Sequence, residues 1–292
     1  MSTDAVSEIP TVLGLRIRSR GLRRLLRHRS ALIGGGLILL FVVLSLAAPL
    51  FATHDPIATD WMAVRKPPSA AHWMGTDEIG RDVYSRLVWG ARTSLLAGVV
   101  SVAFALAVGV PLGVLAGYAG GWTDTVISRC NEAVLSCPFL ILAIAFAAFL
   151  GPSLTNAMIA IGLSAAPIFV RLARGQTLVV KSEEYVDGAR AVGIPHPRLI
   201  LLYILPNIFP PLLVQATLTI ATAIIAEASL SFLGLGQQPP DPSWGSMLST
   251  AKNFLTQAPW MSVWPGVAIF LVVFGFNLLG DGLRDALDPR GD

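Results

Sequence analysis

Residues 171–207 read RLARGQTLVVKSEEYVDGARAVGIPHPRLILLYILPN, a charge-bearing stretch lodged between two long apolar runs. Ser182 suits a helix N-cap, and Glu183 and Glu184 put negative charge on the first turn. The spacing predicts a helix to about Val192, closed by Gly193 in the left-handed conformation. Pro195 and Pro197 block its continuation, and Pro197 fits the first turn of a second helix, Arg198 to Leu205, that stops before Pro206. A connector between packed helices needs only ~2–8 residues. This one is far longer and offers exposed backbone at Gly188 and Ala189 beside the Asp187 carboxylate, as a docking surface would.

The surroundings say what such a surface is mounted on. The chain has 292 residues, 54% hydrophobic and 13% charged, with mean hydropathy +0.66. Apolar runs near ~20 residues match the ~30 Å hydrocarbon core of a bilayer. Six are present, at about 31–51, 94–118, 133–151, 154–172, 208–231 and 261–280. None alternates apolar with polar residues, so a β-barrel is excluded and helices remain. The expected fold is all-α with six transmembrane helices and no internal repeat.

Seven arginines (Arg16, Arg18, Arg20, Arg23, Arg24, Arg27 and Arg29) precede the first run. With the N-terminus inside, fifteen of the 21 Lys and Arg fall on the cytoplasmic side, as the positive-inside rule requires. That orientation places both termini and 171–207 in the cytoplasm. The basic start followed by an apolar run also resembles a secretory signal, but 31–51 is longer than a signal core and reads as an uncleaved span. The stripe of Leu15, Leu22, Leu25 and Leu26 fits either an inner-leaflet helix meeting anionic lipid or a topology-setting tail. The +3 net charge follows from this asymmetry and does not indicate nucleic-acid binding. Cys130 and Cys137, near the inner face, are expected as free thiols.

The expected organisation is a basic tail at 1–30, a first span at 31–51 and an external loop at 52–93. A five-helix core follows at 94–281, including the 171–207 insert, with a cytoplasmic tail at 282–292. In the external loop Thr76 is the expected N-cap of a short amphipathic helix carrying Ile79, Val83 and Leu87, with Asp82 and Arg86 paired across one turn. Residues 118–132 are expected as a short cytoplasmic loop. In the outer loop 232–260, Gly234 and Gly236 should end the fifth span, and Trp244 and Trp260 fit an interfacial belt.

With these residues in view, the insert resembles the cytoplasmic coupling loop of bacterial ABC-importer permeases. That pattern is Glu-Ala-Ala, three residues, Gly, nine residues, Ile, one residue, Leu-Pro. The matching positions are Asp187, Gly188, Ala189, Gly193, Tyr203, Leu205 and Pro206; Asp187, Gly188 and Tyr203 depart from it, the carboxylate being kept. The segments GTDEIGRDVYSRLVWGARTSL (75–95), AEASLSFLGLGQQPPDPSWGSML (226–248) and FNLLGDGLRDALDPR (276–290) resemble the dipeptide/oligopeptide/nickel branch, specifically its second (C-type) permease subunit. The resemblance implies a type I ABC-importer permease fold in a bacterial inner membrane. It also implies a heterodimer with a second permease, two cytoplasmic ATPases and an external substrate-binding protein. The implied cargo is di- or oligopeptides, with nickel, glutathione or another small solute as alternatives. No GxxxxGK[ST] motif is present, so ATP chemistry belongs to partners and no cofactor is expected on this chain.

Glu227 and Gln215 are the candidate pathway residues within the spans. An ionised carboxylate in the bilayer must face protein or water, so Glu227 lines a pathway or makes an interhelical hydrogen bond, the latter favoured. Arg171 and Arg174 are expected to snorkel to headgroups. Asn277 and Asp281 are expected to terminate the last helix. All four histidines (His28, His54, His72 and His196) lie outside the spans, so no metal ligand set is expected there, and His54 beside Asp55 reads as solvated surface. An intramembrane hydrolase would need Ser–His or paired Asp within the spans, and neither is present. A six-span secondary carrier is the remaining rival; it would work without ATPase subunits.

Overall fold

The computed structural model describes Leu25 and residues 28–287. Of the tail stripe only Leu25 is described; Leu15, Leu22 and Leu26, with Arg290, lie outside the described residues. Eleven helices follow one another among the described residues: α1 Arg29–Leu46, α2 Ala48–Phe51, α3 Val83–Ala119, α4 Gly121–Leu135, α5 Phe139–Leu150, α6 Leu154–Lys181, α7 Glu184–Ala191, α8 His196–Leu199, α9 Leu205–Phe232, α10 Trp244–Ala251 and α11 Trp260–Leu287. Five helical stretches are long and apolar enough to span a bilayer, and the bent pair α4–α5 makes a sixth. All six expected apolar runs are thus present as helix, but the third is broken. α4 and α5 meet at 91°, because Pro138 lacks the N–H a continuous helix needs and disfavours helical geometry at Cys137. Residues 118–132, expected as a loop, are mostly α4.

The bundle is built around the crossing of α3 with α6, where helix approach is set by glycine. Gly109, Gly113 and Gly117 recur every four residues on one face of α3. A Cβ on Gly113 would lie 2.4 Å from the Val170 carbonyl oxygen, on Gly109 2.6 Å from that of Ala166, and on Gly117 2.8 Å from that of Arg174. Small residues at this spacing let backbones touch where lipid supplies no hydrophobic drive to association. α1 lies on α11 by the same device: a Cβ on Gly34 would meet the Gly275 carbonyl oxygen at 2.5 Å. Two apolar clusters result, one around Ile161, Phe169, Ile204 and Ile208, the other around Phe41, Ile224, Trp244 and Val272.

Several expected boundaries move, for reasons visible in the packing. No separate amphipathic helix occupies the first loop; Val83 begins α3 itself, which runs 37 residues without interruption. Its N-cap is Asp82, whose side chain accepts from the Ser85 N–H, and not Thr76. Thr76 is fully buried and ties the loop back on itself, accepting from the Lys66 N–H at 2.8 Å and donating to the Ala63 carbonyl. Arg86 pairs with Asp77 at 3.5 Å and not with Asp82, while its Nη1 donates to the Pro56 carbonyl at 2.8 Å. Trp244 is fully buried, edge-on to Phe41, with its indole N–H donating to the Leu87 carbonyl at 3.0 Å. It is a core residue and not an interfacial anchor. α11 continues past Asn277 and Asp281 to Leu287, so neither ends it, and the expected division at 281–282 falls inside the helix. Arg174 forms a two-pronged pair with Asp124 of α4, Nη2 to Oδ2 at 2.7 Å, in place of snorkelling.

Two glycines in the 52–82 segment, Gly75 and Gly80, have positive φ and no room for a Cβ, and Gly80 is the tighter. Gly80 has φ +83°, and a Cβ there would lie 1.8 Å from the Asp60 carbonyl oxygen. Gly80→Ala is therefore expected to destabilise this end of the bundle by about 2–4 kcal/mol, from overpacking plus left-handed strain. Thermal unfolding of the detergent-purified protein measures it; an unchanged midpoint would contradict the packing described.

Candidate functional site

The segment between α6 and α9 forms one end of the bundle, with helix, tight turn and helix in the expected order. α7 starts after Glu183; Ser182 ends α6 instead, its hydroxyl donating to the Val179 carbonyl at 2.8 Å. Gly193 has φ +83° and closes α7, its N–H donating to the Arg190 carbonyl at 2.9 Å. The second helix does not stop before Pro206. α8 passes into a π-turn, Ile200–Ile204, and then directly into α9. A proline leaves the carbonyl four residues earlier without its donor and crowds it; the wider π-turn, with its longer-range bonds, takes up that break. The Asn207 amide also donates to the Tyr203 carbonyl at 2.6 Å.

This geometry divides the motif residues into two faces. Val186 and Ala189 of α7 are buried and, with Leu199 and Ile204, join the apolar cluster of the bundle. Asp187, Gly188, Gly193 and Pro206 are exposed, while Tyr203 and Leu205 are half-buried. Asp187 pairs with Arg190 at 2.9 Å, with 66% of its side chain exposed. A Cβ on Gly188 would meet no atom within 4 Å. Exposed Tyr185 and Val192 flank this surface. The arrangement is a short helix stapled to the bundle by one face and presenting the other.

The two candidate pathway residues separate. Gln215 is half-buried on a cleft of about 430 Å³, together with Leu172, Pro210, Pro211, Val214, Leu218 and Arg284. Its amide donates to the Thr219 hydroxyl at 3.2 Å. Glu227 is fully buried. Its carboxylate accepts from Ser231 of α9 at 2.7 Å and Ser94 of α3 at 3.1 Å. Ser94 in turn accepts from the Trp244 N–H at 3.3 Å. Glu227 thus fastens α9 to α3 and, through Ser94, to the start of α10. Glu227→Gln should cost little, since seryl hydroxyls turn to donate or accept. Glu227→Leu strands both buried hydroxyls at about 1–3 kcal/mol each. Thermal stability should therefore fall in the order wild type, Gln, Leu; uptake unchanged in the Gln variant would remove any essential charge.

The opposite end of the bundle holds two polar clusters that sequence reasoning missed. Asp77 receives both Arg81, Nε to Oδ2 at 2.6 Å, and Arg86, while Arg81 also reaches Glu78 at 2.6 Å. Burial raises the Glu78 carboxyl above its ordinary pKa. Beside these, His72 Nδ1 lies 3.0 Å from Asp82 Oδ1, and His54 packs on His72 with ring centroids 4.7 Å apart. His54 is thus not simply solvated surface beside Asp55. The signal in the sequence was the density of charge in 76–86, but its pairings depend on the fold of 52–82.

Set against known families, residues 109–291 match the binding-protein-dependent transport system inner membrane component, and residues 19–68 match the N-terminal TM domain of oligopeptide transport permease C. The chain belongs to this family of importer permeases: it is a multi-pass membrane channel component of an ABC importer and not itself an ATPase. Among relatives, it is 46% identical over 268 residues to a dipeptide transport system permease protein of Alkalihalophilus pseudofirmus, covering 92% of this chain and 88% of that one. It is 49% identical to a probable D,D-dipeptide transport system permease protein of Escherichia coli, covering 87% and 85%. Identity to a glutathione transport system permease protein of Pectobacterium atrosepticum is 42%, covering 92% and 89%. The fold matches an inward-facing methionine ABC transporter with TM-score 0.59 at 21% identity, covering 69% of this chain and 96% of that one.

Proposed function

We propose that the chain forms one half of a heterodimeric pathway for di- or oligopeptides and that 184–206 is its coupling element. In this reading the 184–206 end and both termini are cytoplasmic, and Asp187, Gly188 and Gly193 enter a cleft of an ATPase subunit. A second permease completes the pathway, two ATPases drive it, and an external binding protein delivers cargo at the opposite end. Pathway opening is a two-state equilibrium biased by nucleotide on one side and by the loaded binding protein on the other. The observation that carries the proposal is the split of the α7 helix, with Val186 and Ala189 buried and Asp187 and Gly188 left open. The basic excess on that side supports the orientation. Gln215, on its cleft beside Pro210 and Pro211, is the better placed of the two candidates to line the pathway. No cofactor is required on this chain.

The peptide assignment rests on the relatives, two of which are named for dipeptides, and the glutathione-transport relative supports a second reading. Uptake into proteoliposomes holding the assembled importer, with labelled dipeptide presented by the binding protein, separates the readings. ATP-dependent uptake that excess glutathione leaves unchanged is expected. Glutathione outcompeting the dipeptide would favour the second reading, and uptake persisting without ATPase subunits would indicate a secondary carrier.

A further inference from the structure

The geometry points to a divalent transition-metal site, of zinc type, built by His54, His72 and Asp82 at the start of α3. One ligand atom from each of the three residues lies within 4.8 Å of the other two. His72 Nδ1 stands 3.0 Å from Asp82 Oδ1, and His54 Nδ1 stands 3.8 Å from Asp82 Oδ2. A zinc ion held at ~2.0–2.2 Å by each ligand spaces ligand atoms by roughly 3–4 Å. Small side-chain rotations therefore complete the set. Two imidazoles and one carboxylate are the donors that suit zinc and its neighbours and do not suit the harder magnesium or calcium.

The surroundings are those of a held ligand set. The Asp82 side chain is 1% exposed, and its Oδ2 accepts from the Ser85 N–H at 2.8 Å and the Ser85 hydroxyl at 2.7 Å. These bonds fix the carboxylate in the way outer-shell partners orient metal ligands. Oδ1 has only His72. The two arginines nearby, Arg81 and Arg86, are both turned to Asp77. His72 is 17% exposed and His54 42%, so the open side of the set faces solvent, leaving an entry path and a fourth position for water. The three ligands come from the stretch after α2, the turn before Gly75 and the N-cap of α3. A bound ion would cross-link the 52–82 segment to α3 and stabilise that end of the permease. Glu227 and the 184–206 surface have no part in it.

The test uses the assembled importer in nanodiscs, stripped of metal by chelator, without nucleotide, and titrated with Co2+. Wild type is expected to develop the visible absorption of a four-coordinate ion, displaced by Zn2+, and its unfolding midpoint should rise on adding Zn2+. His54→Phe keeps a ring against His72 and removes the donor; His72→Gln keeps a donor to Asp82. Each should abolish the band while the complex elutes intact. Ser85→Ala, which retains the backbone N–H to Asp82, should weaken Co2+ binding about 10–100-fold. Equal Co2+ absorption in wild type and both histidine variants would overturn the proposal, as would no absorption in any of them. A midpoint insensitive to Zn2+ would overturn the cross-linking role.

Discussion

The double substitution Asp187→Lys with Gly188→Trp is expected to abolish coupled uptake while leaving the permease folded. Both positions are exposed, and the Gly188 Cβ direction is open, so the chain itself has room for the new side chains. Within the chain the change breaks the Asp187–Arg190 pair, a surface ion pair worth ~0–1 kcal/mol. Against a partner cleft the consequences are different. A bulky indole blocks close approach of the α7 backbone, and a reversed charge faces whatever donor meets Asp187. Weakening the docking by about 3 kcal/mol corresponds to about 100-fold weaker association. Uptake should fall at least that far, with ATP hydrolysis no longer responding to loaded binding protein. Normal coupled transport with an unchanged unfolding midpoint would dispose of the coupling role.

Gly113→Leu is expected to have the opposite profile, with loss of the folded protein before any question of coupling arises. The Cβ alone would sit 2.4 Å from the Val170 carbonyl oxygen and 2.7 Å from the Ala173 Cβ. Ordinary contact needs ~3.5 Å, so α3 and α6 would part by about 1 Å along their main crossing. Overpacking of this kind costs about 1–3 kcal/mol, and more when the obstacle is backbone. Gly175→Leu is the control: it lies in α6, the other helix of the crossing, but meets no atom of the described residues within 4 Å. Fluorescence-detected size exclusion should show a collapsed monodisperse peak for the first and a normal one for the second. Equal peaks would mean that the glycine crossing does not set helix approach.

Much of the architecture was legible because lipid imposes simple demands. An apolar run of spanning length must be helix, and this holds whatever its neighbours do, so six runs could be counted. The α7 helix, its Gly193 stop and its exposed carboxylate were legible for a related reason: caps, prolines and glycine act within a few residues. Most failures came where a local signal met a distant partner. Thr76 has the sequence of an N-cap, yet its hydroxyl is taken by Ala63 and Lys66, and Asp82 caps α3 instead. Trp244 looks like an interfacial anchor, but Phe41 and the Leu87 carbonyl bury it. Pro206 looks like a helix stop, but a π-turn carries the chain through it.

By itself, then, the sequence determined that this is a six-run membrane helix bundle with a capped, charge-bearing helical segment at 184–206, since hydropathy and capping are properties of short segments. Only the tertiary structure decided how close α3 and α6 approach, and that Glu227 fastens α9 to α3. It alone also brought His54, His72 and Asp82 together. Those outcomes depend on which backbones and side chains meet across dozens of residues, and no local rule carries that information.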